Sequence, residues 1–313
     1  VNEMNELLLE KCTKFVDDRN ELGRKNIFSL EQENVAIAYI YTHFEKDLNY
    51  DAIKICERII NKSFSFTSPY RVYMPKIYAA MIAATDIEPD EFISHAKAFE
   101  EQFNRSFTDT NGLGLLSFSA ASIPNLDYKS VYYKALSIYN QMKELHRFLT
   151  SDTDVVYAGL LALSPNLKDD VVDELVIMDD LLIHEYRLDN DYARLLSYIL
   201  ALCEGTATTK VRRAMEFIQS CTSSFDRALN YHYFVLHAIL ANLGISLDQI
   251  QEDYKEVTTF LKYQKGYGIF SENAKELHAC ILLLEYYTPN SISNYAWIIA
   301  ILYKILQNQT AHV

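Results

Sequence analysis

His237 and His278 are the two residues in this sequence best placed to do chemistry together. They occupy the same position in two related segments, Leu236-His-Ala-Ile-Leu240 and Leu277-His-Ala-Cys-Ile281. If those segments are helices stacked at a separation of roughly 8–10 Å, the imidazoles can approach each other. Such a pair could form half of a metal site, with His232 or Cys280 contributing, or could repel when protonated. HExxH and other zinc spacings are absent, so the expected outcome is two histidines packed at a helix seam with one hydrogen bond each. Asp152-Thr153-Asp154 has the acid-x-acid form that can hold a divalent cation. In enzymes that use it, the motif sits at the end of a strand, and no strand is evident here. These acids are expected instead at a helix N-terminus, meeting the positive end of the dipole. Asp169, Asp170, Asp173, Glu174, Asp179 and Asp180 could include a general acid–base pair if their environments differed. A solvated, dipole-compensating helix face is the expected role. His184-Glu185 lacks a third member. No metal and no cofactor is expected, and no catalytic residue can be named.

The elements that must position these residues follow a recurring pattern. A large apolar residue precedes Ser, Thr or Asp at Phe64-Ser-Phe66-Thr67-Ser68, Phe107-Thr108-Asp109, Phe148 to Asp152, Leu188-Asp189, Phe225-Asp226 and Phe270-Ser271. The spacing is roughly 40 residues, the mark of stacked helical hairpins. The apolar residue pins the chain entering a helix and the following oxygen caps free N–H groups, as Phe28-Ser29 with Gln32 illustrates. One helix of each hairpin holds small residues, as in Ile77 to Ala84, Leu115 to Ala121, Tyr157 to Leu163, Leu196 to Leu202 and Leu236 to Ala241. Alanine and glycine there permit close helix approach. The other helix is longer and amphipathic: Asn49 to Asn61, Pro89 to Asn104, Asp127 to Leu145, Lys168 to His184, Thr208 to Gln219 and Leu247 to Tyr263. A first helix is expected from Glu3 to about Leu22, ending at Gly23. Pro75 is read as lying in the first turn of its helix, and Gly205 and Gly244 as helix ends.

The chain has 313 residues, is 50% hydrophobic and carries a net charge of -13. That balance opposes binding to nucleic acid or an anionic membrane, both of which work through Lys and Arg. Lys210, Arg212 and Arg213 are too small a basic group to reverse it. Five cysteines at unrelated spacings read as reduced thiols rather than a disulfide framework. No apolar run is long enough for a membrane span, and Glu3, Glu6 and Glu10 stand where a signal peptide would be positive, so a cytoplasmic location is expected. The 23 tyrosines are spread along the chain and mostly suit seams between helices.

The run Phe148-Leu-Thr-Ser-Asp-Thr-Asp-Val-Val-Tyr-Ala-Gly-Leu-Leu-Ala-Leu163 resembles the mid-chain segment of an uncharacterised family of helical proteins of Gram-positive bacteria, a domain of unknown function (DUF4003). The matching positions are Phe148, Leu149, Thr150, Ser151, Asp152 and Asp154; members tend to have adjacent acids where these are separated. The likeness extends from the N-terminal helix through Lys265-Gly266-Tyr267 into the last helices, nearly the whole chain, and implies a bacterial, soluble, repeat-like helical protein. It carries no activity or site. The fold expected is therefore all-α, about seven hairpins in a right-handed superhelix or toroid-like array. One domain over 1–313 is expected, with a capping helix at 1–23, hairpins at 24–290 and a second capping helix at 291–313. Function is expected to be non-enzymatic, the binding of a protein or peptide on a concave surface. Tyr157, Tyr198, His237 and His278, all on small-residue helices, are the candidate binding residues. The alternative is an enzyme on a toroid-like scaffold that uses carboxylates or a His-bound metal.

Overall fold

A computed structural model describes residues 4–25, 30–72, 74–104, 110–145, 153–165, 167–221 and 231–310. Among these residues there are α-helices and two short 3-10 turns, with no strand. The first helix, α1, covers Glu6–Lys25 and runs through Gly23. A glycine in a helix interior costs only about 1 kcal/mol relative to alanine, so it ends a helix only where other signals agree. The chain forms two compact units, one made of Val1–Lys14 with Ser164–Ile305, the other of Phe15–Leu163 with Leu306–Val313.

In the second of these, α2 (Glu31–His43), α3 (Tyr50–Ser63), α4 (Pro69–Val72), α5 (Pro75–Ala83), α6 (Pro89–Phe103), α7 (Thr110–Ala121), α8 (Tyr128–Leu145) and α9 (Thr153–Ala162) follow in order. They pack as two layers. The helices α2, α5, α7 and α9 each touch the next, as do α3, α6 and α8, and the layers meet through α3 with α5, α6 with α7 and α8 with α9. The small-residue layer is buried almost throughout, while the other keeps one face in solvent. Gly159 shows why small residues belong there: a Cβ on it would lie 2.3 Å from Leu116 Cδ2. Pro75 is the first residue of α5, entered from Met74 in the left-handed region.

The other unit repeats the scheme. Its helices are α10 (Val171–His184), α11 (Asn190–Leu200), α12 (Ala207–Cys221), α13 (His237–Ala241), α14 (Leu247–Tyr263), α15 (Glu272–Tyr287) and the start of α16 (Ile292–Thr310). The sequence α11, α13, α15 forms the buried layer and α10, α12, α14 the half-exposed one. Side-chain caps start five of these helices: Asp189 accepts from Tyr192 N–H, Thr206 from Thr209 N–H, Ser246 from Gln249 N–H, Ser271 from Ala274 N–H and Ser291 from Asn294 N–H. Gly205 and Gly244 have φ of 112° and 77° in the turns after α11 and α13, a conformation that favours glycine. The expected caps at Ser29, Phe107 to Asp109, Phe148 to Asp152 and Phe225-Asp226 lie outside the described residues.

Candidate functional site

The candidate site is a cavity of about 280 Å³ bounded by α12, α14 and α15. From α14 it takes Gln251, Tyr254, Lys255, Thr258, Thr259 and Lys262. Steps of three and four put these residues on a single helix face. Glu272 and Glu276, one turn apart on α15, form the opposing wall, and Ser220 and Cys221 at the end of α12 close it.

Glu276 is the distinctive group. It is 7% exposed, yet its carboxyl has no hydrogen-bond or ion-pair partner among the described residues. Burial, reinforced by repulsion from Glu272 and opposed by Lys262, pushes its pKa up to about 7. Glu272 is held below the usual carboxylate range by hydrogen bonds from Lys262 and Lys275, at 2.8 and 2.9 Å. Glu272 is thereby paired directly, whereas Glu276 feels Lys262 only at longer range and has no direct partner among the described residues.

Behind the cavity wall lies His237. Its Nε2 is 2.8 Å from Tyr254 Oη, which lies 3.3 Å from the Glu276 backbone carbonyl oxygen. With the proton on Nε2, the imidazole donates to the phenol and the phenol to the carbonyl, so each group is satisfied once. Burial holds the His237 pKa down at about 3 and raises that of Tyr254 well above its ordinary value. Burial also pushes the Cys221 thiol up to about 11 and Cys280 well above its usual range. Histidine, phenol and thiols are all driven toward their neutral forms, so none is activated as a nucleophile or general base near neutral pH.

The residues singled out from sequence fall as follows. His237 is fully buried and reaches the cavity only through Tyr254. His278 is also fully buried, with its ring edge-on to Tyr267 and Phe270 at 5.8 and 5.0 Å. Tyr198 is buried on α11, and Tyr157 is half-buried on α9. Of these four, the structure brings His237 alone to the cavity. No group of three or more metal-ligating side chains occurs among the described residues. Asp154 is 2% exposed in the first turn of α9, while Asp152 lies outside the described residues. His184 is exposed and pairs with Asp180 at 3.3 Å rather than acting with Glu185.

In the acidic run on and before α10, Asp169, Asp170, Asp173 and Asp180 are exposed, as expected of a solvated face, while Asp179 and Glu174 depart from it. Asp179 is 3% exposed and accepts a short hydrogen bond from Ser197 Oγ, because α10 turns that side toward α11. Glu174 Oε1 lies 2.9 Å from Nζ of the fully buried Lys210 and 3.7 Å from that of Lys168. The Lys210 contact lies outside hydrogen-bond alignment and acts as an ion pair. Arg213 donates to the carbonyls of Ala241 and Ile245 at 2.9 and 2.8 Å, at the end of α13 and beyond it. Two members of the densest basic group thus serve the fold, and only Arg212 is left exposed.

A family model described as "Protein of unknown function (DUF4003)" matches residues 21–311. The chain belongs to this family. No curated protein and no solved structure matches it. In this DUF4003 protein the cavity lies wholly within the matched span, and no described helix is long and apolar enough to cross a membrane. Sequence reasoning missed Glu276 as a site residue. The only signal for it was a charged residue one step before the apolar run Leu277 to Leu284, on a helix buried on nearly all sides.

Proposed function

We propose that this DUF4003 protein is a non-catalytic binding protein for a protein or peptide, and that the cavity between α12, α14 and α15 receives one side chain of that partner. The observation that carries this reading is Glu276, a residue 7% exposed whose carboxyl lines the cavity with no partner among the described residues. Partial desolvation makes the ionised carboxyl costly, and a ligand that supplies a donor offsets that cost. A volume of about 280 Å³ lies just below the range usual for drug-sized ligands and suits a single side chain. Binding is favoured over catalysis because the neighbouring His, Tyr and Cys groups are all pushed toward inert forms. The layered order of helices within each unit supports a helical-hairpin repeat, with the whole chain as one right-handed superhelical or toroid-like array. Five free thiols support a reducing, cytoplasmic setting.

Hydrogen–deuterium exchange of the full chain against pools of short peptides of varied sequence tests this. The expected result is slowed exchange in α14 and in the first turns of α15. Protection by no peptide at millimolar concentration, or chemical turnover of a peptide, would overturn it.

A further inference from the structure

We propose that the cavity takes a primary ammonium group, whose three N–H donors meet Glu276, Thr258 Oγ1 and Gln251 Oε1. This names the chemistry of the side chain in the preceding reading and rests on that reading's placement of the site. The argument comes from where the cavity's own protons point. Thr258 Oγ1 donates to the Tyr254 carbonyl at 2.7 Å, so what it presents to a ligand is lone pairs. Ser220 Oγ donates to the Phe217 carbonyl at 2.8 Å and so must accept from Gln251 Nε2, 3.0 Å away. That fixes the orientation of the Gln251 amide and leaves its Oε1 unengaged by any described residue. The Tyr254 proton is used within its link between His237 and the Glu276 carbonyl. Glu276 adds a carboxylate with no partner among the described residues. Glu276, Thr258 Oγ1 and Gln251 Oε1 therefore present acceptors, the donors of Lys255 and Thr259 lie on exposed residues of the lining, and a ligand group rich in donors completes the three.

Charge agrees with this. The groups facing Glu276 are Glu272 on its own helix, Lys262 and Tyr254 from α14, and Cys221 from α12. Lys262 is bound to Glu272, which also holds Lys275. Lys255 is exposed, has no ion pair among the described residues, and is not among the charges that bear on Glu276. An incoming ammonium thus meets, in Glu276, a nearly buried carboxylate that no described residue pairs directly, where a charged hydrogen bond is strong, and it must approach past the exposed Lys255.

The test uses the full chain with Nα-acetyl-lysine methylamide as probe and its norleucine counterpart, which lacks the ammonium, as control. Backbone amide shifts are followed by NMR. Saturable shifts confined to α12, α14 and α15 are expected with the lysine amide alone. Because only ionised Glu276 binds the ammonium, affinity should rise about tenfold from about pH 6 to about pH 8. Glu276→Gln should weaken binding at least about tenfold and abolish its pH dependence; Thr258→Val should weaken it severalfold with the pH dependence intact. A second arm uses 6-aminohexanoate. If its affinity exceeds that of the lysine amide and falls in Lys255→Ala, the ammonium comes from a free amino acid; otherwise it comes from a peptide lysine. Equal binding of the norleucine amide, no saturable shift, or unchanged binding by Glu276→Gln overturns the proposal. If varied peptides protect other helices while the lysine amide leaves the cavity unchanged, this inference fails and the peptide-binding reading stands. If the lysine amide binds and no peptide does, the reverse holds.

Discussion

At the scale of single residues, the cavity couples folding to pH through groups that pull in opposite directions. The folded-state pKa of Glu276 is about 7 against an ordinary value of 4.5. A carboxyl raised in this way contributes full stability below its unfolded pKa and loses it as pH climbs through the folded one. Discounted for the solvent that reaches the carboxyl through the cavity, the shift corresponds to about 1–2 kcal/mol of destabilisation complete by about pH 8. Removing the charge should relieve it. Glu276→Gln is expected to match the parent near pH 4.5 and exceed it by about 1–2 kcal/mol at pH 8, read from urea midpoints at both pH values. An equal difference at the two pH values would show that the carboxylate is solvated. His237 and His232 act in the other sense. Burial lowers them to about 3 and about 4 from 6.5, with Lys304 adding to the effect on His232. The unfolded chain therefore binds more protons at these positions below pH 6.5, and stability falls as pH falls. Between about pH 4.5 and 6.5 these slopes oppose that of Glu276, so the parent's stability should vary less with pH than that of Glu276→Gln.

At the scale of elements, the division into a tight layer and an amphipathic layer determines which substitutions the fold tolerates. A Cβ at Gly159 would lie 2.3 Å from Leu116 Cδ2 and 3.4 Å from its Cγ, and Leu116 is fully buried. Gly159→Ala should therefore force the buried Leu116 side chain out of its present rotamer, or α7 away from α9, and cost about 1–3 kcal/mol. Gly268 has nothing within 4 Å of its ideal Cβ, so Gly268→Ala should stay within about 0.5 kcal/mol of the parent. Urea midpoints that fall equally in both variants would show that close approach does not govern this layer. Much of this layering was legible in sequence. The helix expected from Pro89 to Asn104 is Pro89–Phe103, and that expected from Leu247 to Tyr263 has those bounds. Both have a strong punctuating residue at one end, a proline or a capping serine, and an apolar stripe that only a helix keeps on one side. The site was much less legible. Glu276 and Asp179 are charged residues whose burial depends on which helix arrives from elsewhere in the chain, and a local pattern holds no record of that. His237 was visible as a candidate, but its partner Tyr254 lies on another helix, and only packing joins them.

For the whole molecule, the relevant quantity is a net charge of -13 over 313 residues. A field of that sign repels polyanions, and the fold buries Lys210 and ties the half-buried Arg213 to backbone carbonyls. The same field attracts cations over a distance set by the ionic strength, roughly 20 Å at 20 mM salt and 7 Å at 200 mM. An ammonium-bearing ligand therefore gains at the encounter step as well as in the cavity. The expected consequence is an association rate for a lysine-containing peptide that drops severalfold from about 20 mM to about 200 mM salt, while dissociation, set by short-range contacts around Glu276, changes much less. Stopped-flow mixing with a fluorescently labelled peptide separates the two rates. Repeating it with Glu276→Gln isolates the cavity: the variant removes one charge from a large total, so its association rate should keep nearly the same salt dependence while its dissociation rate rises. A variant that slowed association and left dissociation unchanged would place the recognition of the cation on the diffuse acidic surface and not in the cavity.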